Sequence, residues 1–391
     1  MIRIQDKKEC CGCSACVQIC PKNCIVMVPD AEGFVYPSIN IEGCVDCGLC
    51  NSVCPVLNQE NDKFPVRTLA VKNRDQDIRY KSSSGGVFSA LAIKIINEGG
   101  VVFGARFNEQ WEVIHDYVET IDDLHSFYGS KYVQSVIGKT YLQAEEFLKN
   151  GRKVLYSGTS CQIAGLKRFL RKEYSNLITI DVICHGVPSP LIWRNYLSYI
   201  IANDKIKGVS SLTDIESISF RSKITGWRNY SLQINSKSGD RFTENFAQNL
   251  YMQGFLNNIY LRPSCYACPA KKGKCSSDMS LGDYWGIDIH HPTFADELGV
   301  GAILIYNDKI IDYIFSNVDV LDSEYIDVLR SNSCVESSVK ESMYRDLFWE
   351  EYDRCGIAAL IKIIEKSKVT LVRKCVNKLL VILQVIKNKT K

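Results

Sequence analysis

Eight cysteines near the N-terminus have the spacing and the flanking residues that iron–sulfur chemistry needs. They form two runs of identical spacing, each followed directly by proline: Cys10-x2-Cys13-x2-Cys16-x3-Cys20 and Cys44-x2-Cys47-x2-Cys50-x3-Cys54. In this arrangement the first three thiolates of a run bind one 4Fe-4S cluster, and the fourth binds the other cluster. Such clusters accept and release electrons one at a time, so the predicted chemistry is one-electron transfer.

The crossing pattern assigns four ligands to each cluster. Cluster I is predicted to bind Cys10, Cys13, Cys16 and Cys54, and cluster II to bind Cys44, Cys47, Cys50 and Cys20. Zinc is the alternative, because thiolates spaced two residues apart also suit zinc, but two identical runs ending in Cys-Pro favour iron–sulfur. Residues 1–57 are therefore predicted to form a bacterial-type ferredoxin module that its clusters stabilise.

Two further cysteines of this module are out of register. Cys11 and Cys24 do not fit either four-ligand run. They are expected to be spare thiols, although Cys11 competes with its neighbour Cys10 as a ligand.

Two cysteines in the middle of the chain follow predicted strands. A strand at 153–156 leads through a turn into a helix that begins at Cys161, and a second strand, 177–183, ends at Cys184. A right-handed crossover makes these strands parallel, which puts both cysteines on one rim of a sheet, where ligand sites form. The position of Cys161 at a helix N-terminus predicts a lowered thiol pKa.

Two later cysteines complete a four-thiol group, which we name the third set. Its members are Cys161, Cys184, Cys265 and Cys268, the last of which precedes a proline. Together they favour a third 4Fe-4S cluster. The alternatives are buried small side chains for the first two, zinc or no metal for the last two, and replacement of one ligand by Cys275.

A Ser-Gly-Gly segment, Ser84-Gly85-Gly86, opens a predicted helix. The helix lies between strands at 68–72 and 101–107, so the pattern is βαβ. Backbone N–H groups at a helix start bind anions such as a pyrophosphate; the alternative is a serine N-cap with permissive glycines and no ligand. There is no G-x-G-x-x-G after a strand and no P-loop, so a standard Rossmann or kinase-like nucleotide site is not supported.

Composition and charge restrict the class of protein. The chain has 391 residues, 46% of them hydrophobic, with 18 cysteines and a net charge of +3. No secretory signal and no run of roughly 18 apolar residues is visible, so a cytoplasmic protein with reduced thiols is expected. Residues 366–391 hold eight Lys or Arg and no Asp or Glu, and subtracting those eight charges leaves −5 on the rest. A nucleic-acid partner is not expected, because the folded part has no basic stripe.

The basic C-terminal segment has the pattern of an amphipathic helix. Residues 371–386 place one apolar side at helical spacing, formed by Val372, Cys375, Val376, Leu379, Ile382, Leu383 and Ile386, and an apolar helical stretch precedes it at 356–364. Such a helix either docks on the body or on a partner, or lies on an anionic membrane face. Peripheral contact with the inner face of the membrane is therefore one expectation.

Five motifs in the central part of the chain resemble the beta subunit of coenzyme F-420 hydrogenase/dehydrogenase. In chain order they are Ser84-Gly85-Gly86, Gly129-Ser130-Lys131-Tyr132, Gly158-Thr159-Ser160-Cys161-Gln162, Cys184-His185-Gly186-Val187-Pro188-Ser189 and Ser277-Asp278-Met279-Ser280-Leu281-Gly282-Asp283-Tyr284-Trp285-Gly286. The likeness covers about 68 to 330, and an N-terminal ferredoxin is a common fusion among relatives. Ser160 departs from the family, where many relatives have proline.

The resemblance implies a flavoprotein with FAD, a 4Fe-4S cluster beside the flavin, and hydride exchange with a deazaflavin or another small molecule. By analogy, Ser84, Gly85 and Gly86, together with Ser130 and Lys131, would touch the FAD phosphates or ring.

Two further residues are weaker candidates for chemistry. His185 would be a proton donor near the flavin, or would pack in its turn. Asp283 would bind flavin or substrate, or would stabilise its turn.

The predicted fold class is α+β. The predicted parts are a ferredoxin module (1–57), the two parts of an α/β flavin and iron–sulfur domain (68–150 and 151–330) and a helical tail (331–391). The predicted function is an oxidoreductase that passes electrons between its clusters and FAD. Similar bacterial proteins occur with glycan-assembly enzymes, so the alternatives are an electron-transfer subunit for a redox partner protein and a structural or accessory iron–sulfur protein in polysaccharide biosynthesis.

Overall fold

An eight-stranded mixed β-sheet forms the centre of the protein in the computed structural model, which describes residues 1–314 and 317–368. The strands of the described residues are β1 Ile25–Pro29, β2 Val35–Ile39, β3 Arg67–Asn73, β4 Val101–Phe107, β5 Val113–Val118, β6 Val154–Thr159, β7 Leu177–Val182, β8 Ile215–Ser222, β9 Ser231–Ser236, β10 Arg241–Asn245, β11 Met279–Asp283, β12 Gly301–Ile305 and β13 Val318–Ser323. The large sheet has the order β13-β3-β12-β11-β7-β6-β4-β5, while β1–β2 form a hairpin and β8–β10 form a three-stranded sheet.

Helices cover the sheet and connect its strands. The α-helices of the described residues are α1 Ala15–Gln18, α2 Leu49–Ser52, α3 Gln76–Lys81, α4 Val87–Asn97, α5 Thr140–Lys149, α6 Ser160–Leu170, α7 Pro190–Ala202, α8 Leu250–Leu256, α9 Ile287–His290, α10 Ile311–Ile314, α11 Tyr325–Ser331, α12 Arg345–Cys355 and α13, residues 358–368. Short 3-10 segments lie at Lys7–Glu9, Asp122–Phe127, Leu212–Asp214, Lys223–Thr225, Pro263–Ala267, Asp308–Ile310 and Ser333–Val335.

The parallel strands of the large sheet share one rim. β6 pairs in parallel with both β4 and β7, and β7 pairs in parallel with β11. The predicted parallel pairing of the strands before Cys161 and Cys184 is thus confirmed. β3 has the same direction as β11, because both are antiparallel to β12. The carboxyl ends of β3, β6, β7 and β11 therefore lie on one rim, where α/β proteins bind ligands.

The predicted βαβ unit around Ser84 has a wider crossover than its pattern indicates. Its strands are β3 and β4, with α4 between them, but β12, β11, β7 and β6 lie between these two strands in the sheet. Each of those four comes from later in the chain, so local patterning cannot reveal that they separate β3 from β4.

The two faces of the sheet bury different parts of the chain. Along β4, Val101 and Phe103 pack on one face with α5, α6 and the cluster I loop, whereas Val102 packs on the other face with α4. This alternation follows from the two-residue period of a strand. The ferredoxin module approaches α6 so closely that a β-carbon at Gly165 would lie 2.9 Å from the sulfur of Cys13. The module is therefore packed directly against the central domain.

The chain after residue 331 covers a second core under the three-stranded sheet. Phe348 of α12 and Leu360 and Ile363 of α13 are buried there beside Trp193 and Tyr260. The apolar stretch predicted at 356–364 therefore packs on the body. The predicted amphipathic helix at 371–386 lies outside the described residues. Within residues 1–314 and 317–368, no helix is long and apolar enough to span a membrane.

Candidate redox site

The cysteines assigned to cluster II line a single small cavity. Its wall includes Cys20, Cys44, Cys47 and Cys50, together with Cys24, whose sulfur lies 3.4 Å from that of Cys20. Cys47 is exposed, Cys20 and Cys44 are half-buried, and Cys50 is buried. The predicted ligands of cluster II are thus brought together at the protein surface.

The cysteines assigned to cluster I converge deeper in the molecule. Cys13, Cys16 and Cys54 are buried and Cys10 is half-buried. Burial, followed by the neighbouring thiols of Cys10 and Cys54, raises the pKa of Cys16 to about 12. A group of thiols that crowd one another in this way needs a metal centre to hold them as thiolates. Cluster I thus lies between cluster II and the central domain.

The chemistry of these donor sets fits a 4Fe-4S cluster. Each predicted set consists of four thiols, which is the ligand set of that cluster. Within the described residues, no group of three or more His, Cys, Asp or Glu side chains is arranged to hold a single metal ion. A zinc site would bring its sulfurs to about 2.3 Å from one centre. The four-thiol sets therefore suit a 4Fe-4S cluster, and the individual ligand assignments stay predictions.

The structure brings the third set together at the common rim. The thiol of Cys184 is surrounded by those of Cys265, Cys161 and Cys268. Cys161 lies in the first turn of α6. Cys265 lies in the 3-10 segment Pro263–Ala267, and its sulfur accepts a hydrogen bond from the N–H of Val187 at 3.4 Å. Burial raises the pKa of Cys265 to about 12. Four half-buried cysteines from three separate segments thus lie close together.

The lowered pKa predicted for Cys161 is wrong. Its pKa is raised well above the ordinary value, first by a hydrogen bond with Cys11 and then by burial. A helix N-terminus stabilises a nearby anion by typically about 0.3 to 1 kcal/mol, so these two effects outweigh it.

Two cysteines outside the predicted sets have defined positions. Cys11 is buried, and the thiols of Cys13 and Cys161 are the neighbours that act on its pKa, so it lies between the cluster I loop and the third set. Cys275 lies beside Ser277, with 3.4 Å between its sulfur and the hydroxyl oxygen, and it is close to Asp181. Sequence spacing revealed neither position, because both depend on contacts between distant segments.

A cavity of about 730 Å³ opens beside the third set at the same rim. All five residues predicted to contact flavin line it, as do Cys184 and His185. This volume is in the usual range for a bound cofactor or drug-sized ligand, about 300 to 1,000 Å³. Cys184 thus belongs both to the third set and to the wall of the cavity.

The Ser-Gly-Gly segment forms one end of this cavity. Gly86 is the N-cap of α4, with φ of 75°, and the first turn of α4 lines the cavity. A β-carbon at Gly85 would lie 2.3 Å from the carbonyl oxygen of Val71, so only glycine fits there. The first N–H groups of a helix have no partner within the helix and carry partial positive charge. This end of the cavity therefore suits an anionic group.

Serine hydroxyls and a buried lysine hold the segment in place. The hydroxyl of Ser83 lies 2.8 Å from that of Ser130 and accepts a hydrogen bond from the Ser130 N–H. Ser84 donates its hydroxyl to the carbonyl of Val300 at 2.7 Å. Lys223 donates to the carbonyl oxygen of Ser84 at 3.1 Å and to two other backbone carbonyls. Lys223 was not identified from the sequence, because its partners are more than 70 residues away.

Lys131 is half-buried in the cavity wall, and no ion pair of the described residues includes it. Its ammonium group donates to the carbonyl oxygens of Ser126 at 2.9 Å and of Tyr128 at 3.0 Å. Burial lowers the pKa of Lys131 to about 7. An anion in the cavity would therefore favour the charged form of this lysine.

Asp283 is held by neighbours in the opposite wall. Both oxygens of its carboxylate accept hydrogen bonds from Arg221 at 2.9 Å, and Trp227 donates its indole N–H to one of them at 2.8 Å. The guanidinium of Arg221 also lies 4.1 Å from the ring centre of Tyr230. Of the two roles considered for Asp283, this geometry favours the structural one.

His185 lies in the cavity wall between two polar partners. Its Nε2 is 2.6 Å from the amide oxygen of Asn258, and its Nδ1 is 3.8 Å from the sulfur of Cys334. Burial lowers the pKa of His185, so the ring is neutral at pH 7. A neutral ring that donates to Asn258 has its other nitrogen available as a proton acceptor, and a catalytic role for it stays a prediction.

Comparison with protein families gives three matches along the chain. Residues 68–140 match the family described as coenzyme F420 hydrogenase/dehydrogenase, beta subunit N-term, and residues 151–326 match its C terminus. Residues 9–58 match the 4Fe-4S dicluster domain. The third match agrees with the two clusters predicted for the N-terminal module.

Individual relatives cover parts of the chain. An uncharacterized protein of Methanocaldococcus jannaschii is 24% identical over 200 residues, which are 44% of this chain, and the chain spans about half of that protein (55%). An uncharacterized ferredoxin of the same organism is 35% identical over 78 residues, covering 20% of this chain and 94% of the ferredoxin. A structure of the F420-reducing [NiFe] hydrogenase complex from Methanosarcina barkeri, obtained by xenon derivatization, aligns with a TM-score of 0.46 at 16% identity, covering 80% of this chain and 92% of that chain.

Proposed function

We propose that this chain, which belongs to the coenzyme F420 hydrogenase/dehydrogenase beta subunit family, is a flavoprotein that exchanges electrons between FAD and three 4Fe-4S clusters. The family is one of oxidoreductases, and the dicluster domain gives this member an iron–sulfur electron-transfer module. The observation that carries the proposal is the position of Cys184, which belongs to the third set and also lines the large cavity. A cofactor in that cavity would be adjacent to the third cluster.

The residues of the cavity have distinct roles in this proposal. When bound, FAD supplies the conversion between two-electron hydride chemistry and the single electrons that clusters carry. The first turn of α4 after Gly86 would bind the diphosphate, and Lys223 would fix the backbone of Ser84. Lys131 would balance the negative charge, and His185 would hold a proton at a ring nitrogen. The substrate class proposed is a deazaflavin or another small hydride donor or acceptor.

Anaerobic reconstitution of the full chain tests this function. Iron, sulfide and FAD would be added, and unbound material removed by gel filtration. We expect noncovalent FAD at about one per chain and, from three clusters of four irons, about 12 iron atoms per chain. Absence of retained flavin would contradict the flavoprotein assignment, and a count near eight irons would contradict the third cluster.

FAD is expected to bind more weakly as the pH rises, because Lys131 in the cavity wall loses its charge. The pKa of Lys131 is lowered to about 7 by burial, so its ammonium group is largely neutral above that pH. A bound diphosphate favours the charged form, so binding takes up a proton, and affinity falls by at most about tenfold per pH unit above 7. Fluorescence titrations from about pH 6 to 8.5 should show a several-fold rise in Kd, whereas Lys131→Met should remove this dependence. An unchanged Kd across this range in the unmodified protein would refute the role of Lys131.

A second candidate function is electron transfer to or from a partner protein, and the exposure of cluster II favours it. The exposed cysteine Cys47 shares the cavity wall with Val45, which is 60% exposed, and Ile41, which is 68% exposed, accepts a backbone hydrogen bond from Cys44 at 3.1 Å. An electron carrier has to approach a redox centre closely, and apolar residues around such a centre form the core of small interfaces. We therefore propose that cluster II is the point at which single electrons enter or leave.

Substitution beside the exposed cluster separates these two functions. Val45→Asp should slow electron exchange with a small ferredoxin about tenfold, because a lost apolar contact of roughly 1.4 kcal/mol has that effect. Ile289→Asp is the matched control, since Ile289 is also exposed (76%) but lies on α9 of the central domain. Reduction of a small dye should be the same in both variants. Equal rates with the ferredoxin in both variants would exclude this surface as the docking site.

A further inference from the structure

We propose that Arg262 is a buried cationic bridge that raises the reduction potentials of both cluster I and the third-set cluster. The part concerning the third set rests on the proposed function, whereas the part concerning cluster I rests on the ferredoxin module alone. Three independent features of Arg262 support this role: its contacts, its lack of a carboxylate partner and its position in the chain.

The contacts of Arg262 join the ferredoxin module to the central domain. Its Nε donates to the carbonyl oxygen of Cys10 at 2.7 Å, and its Nη2 donates to that of Val35 at 3.0 Å. Its Nη1 donates to the side-chain oxygen of Gln134 at 2.9 Å, and the amide nitrogen of Gln134 donates to the carbonyl of Cys11 at 3.1 Å. One guanidinium group thus holds the backbone of the first cluster I ligand.

The guanidinium lies directly against the cluster I loop. A β-carbon at Gly12 would be 2.8 Å from its Nη1, so the loop between Cys11 and Cys13 leaves space for this side chain only because residue 12 is glycine. The ring centre of Tyr36 lies 4.4 Å from the guanidinium carbon. The charge is therefore enclosed by the ferredoxin module on one side.

Arg262 is also next to the third set. The N–H of Cys265 donates to its carbonyl oxygen at 2.9 Å, and its own N–H donates to the carbonyl of Val187 at 3.0 Å. The main chain of Arg262 is thus tied both to the segment of Cys265 and to the loop that follows Cys184. Arg262 therefore lies between the two predicted clusters.

The charge of Arg262 has no carboxylate partner among the described residues. Its side chain is 0% exposed, and every hydrogen bond described above goes to a neutral oxygen. No ion pair formed by residues 1–314 and 317–368 includes it, whereas buried Arg345 pairs with Glu32. A buried charge without a counter-charge is strongly unfavourable. Clusters with four thiolates are anionic, so a cluster on each side supplies the missing negative charge.

This electrostatic arrangement has a defined effect on redox behaviour. Reduction adds one negative charge to a cluster, and a nearby cation stabilises the reduced form more than the oxidised form. Removal of the charge should therefore lower the reduction potential of each cluster that it faces. Cluster II, at the surface on the far side of cluster I, should be unaffected.

Redox titration of the anaerobically reconstituted full chain, followed by electron paramagnetic resonance, tests the proposal. Arg262→Gln removes the charge, and Gln134→Glu neutralises it while keeping the guanidinium in place. Both variants should lower the potentials of cluster I and of the third-set cluster, and Arg262→Lys should restore values close to those of the unmodified protein. The cluster II signal, assigned by its loss in Cys47→Ser, should not shift.

Iron content separates the possible outcomes. Unchanged potentials in an Arg262→Gln protein with full iron would overturn the proposal. If that variant loses iron, Gln134→Glu decides: lowered potentials support the role of the charge, and unchanged potentials overturn it. If the unmodified protein binds only about eight irons, the third cluster fails, but the shift of cluster I still tests Arg262.

Discussion

Protein carrying Gly86→Glu is expected to purify with its ferredoxin iron and without flavin. Gly86 is the N-cap of α4 with φ of 75°, and its carbonyl oxygen accepts a hydrogen bond from the side chain of Asn73 at 3.0 Å. A glutamate there would place a carboxylate at the helix end proposed to bind the diphosphate. Like charges facing each other in such a site cost several kcal/mol, so FAD affinity should fall by about 100-fold or more.

A substitution at the other end of the same helix provides the control. Gly99 also has a left-handed backbone conformation, with φ of 76°, and a β-carbon there would have no atom within 4 Å. Gly99→Glu therefore adds a similar backbone strain and the same charge, but away from the cavity. Flavin absorbance per chain should be normal in Gly99→Glu and close to zero in Gly86→Glu. Equal retention in the two variants would contradict a diphosphate site at the start of α4.

Replacing one thiol of the third set should remove a complete cluster. In Cys268→Ser, iron should fall from about 12 to about eight atoms per chain, because a cluster with three thiolate ligands is poorly retained in this set. The N–H of Cys268 donates a hydrogen bond to the hydroxyl of Ser338 at 2.9 Å. This bond involves only the backbone of residue 268, so the variant should keep the same backbone position. Iron analysis and spin quantification by electron paramagnetic resonance would measure the loss.

Cys275 is the matched control for this experiment. It is buried, whereas the members of the third set are half-buried, and it lies beside Ser277 and Asp181. Cys275→Ser should therefore keep all of the iron. The reverse result, with iron lost in Cys275→Ser and kept in Cys268→Ser, would show that Cys275 is a ligand in place of Cys268.

Local patterns in the sequence were sufficient for several parts of the fold. The predicted strand at 101–107 coincides with β4, and the helix predicted to follow Ser84-Gly85-Gly86 is α4, Val87–Asn97. Both segments have strong apolar periodicity and glycine at their ends, and such signals depend only on neighbouring residues. The ferredoxin cysteines could also be recognised from the sequence, because their spacing is short and their chemistry is specific.

Features that depend on long-range contacts could not be predicted from the sequence. The order of the large sheet, with four strands between β3 and β4, is determined by segments more than 40 residues later in the chain. Arg262 contacts Cys10 across a separation of 252 residues. The raised pKa of Cys161 has the same origin, since its cause is the thiol of Cys11 in another module. The sequence determines these contacts, but no local pattern within it identifies which residues form them.

The origin of the third set in three separate elements has a consequence for the biosynthesis of the protein. All ligands predicted for clusters I and II lie within the first 54 residues, so they leave the ribosome together and early. Cys161, Cys184 and Cys265 meet only after β6, β7 and the segment Pro263–Ala267 have assembled. The assembly machinery of the cell could therefore load the ferredoxin module on the nascent chain, whereas a cluster proposed for the third set would have to be inserted after synthesis of the central domain.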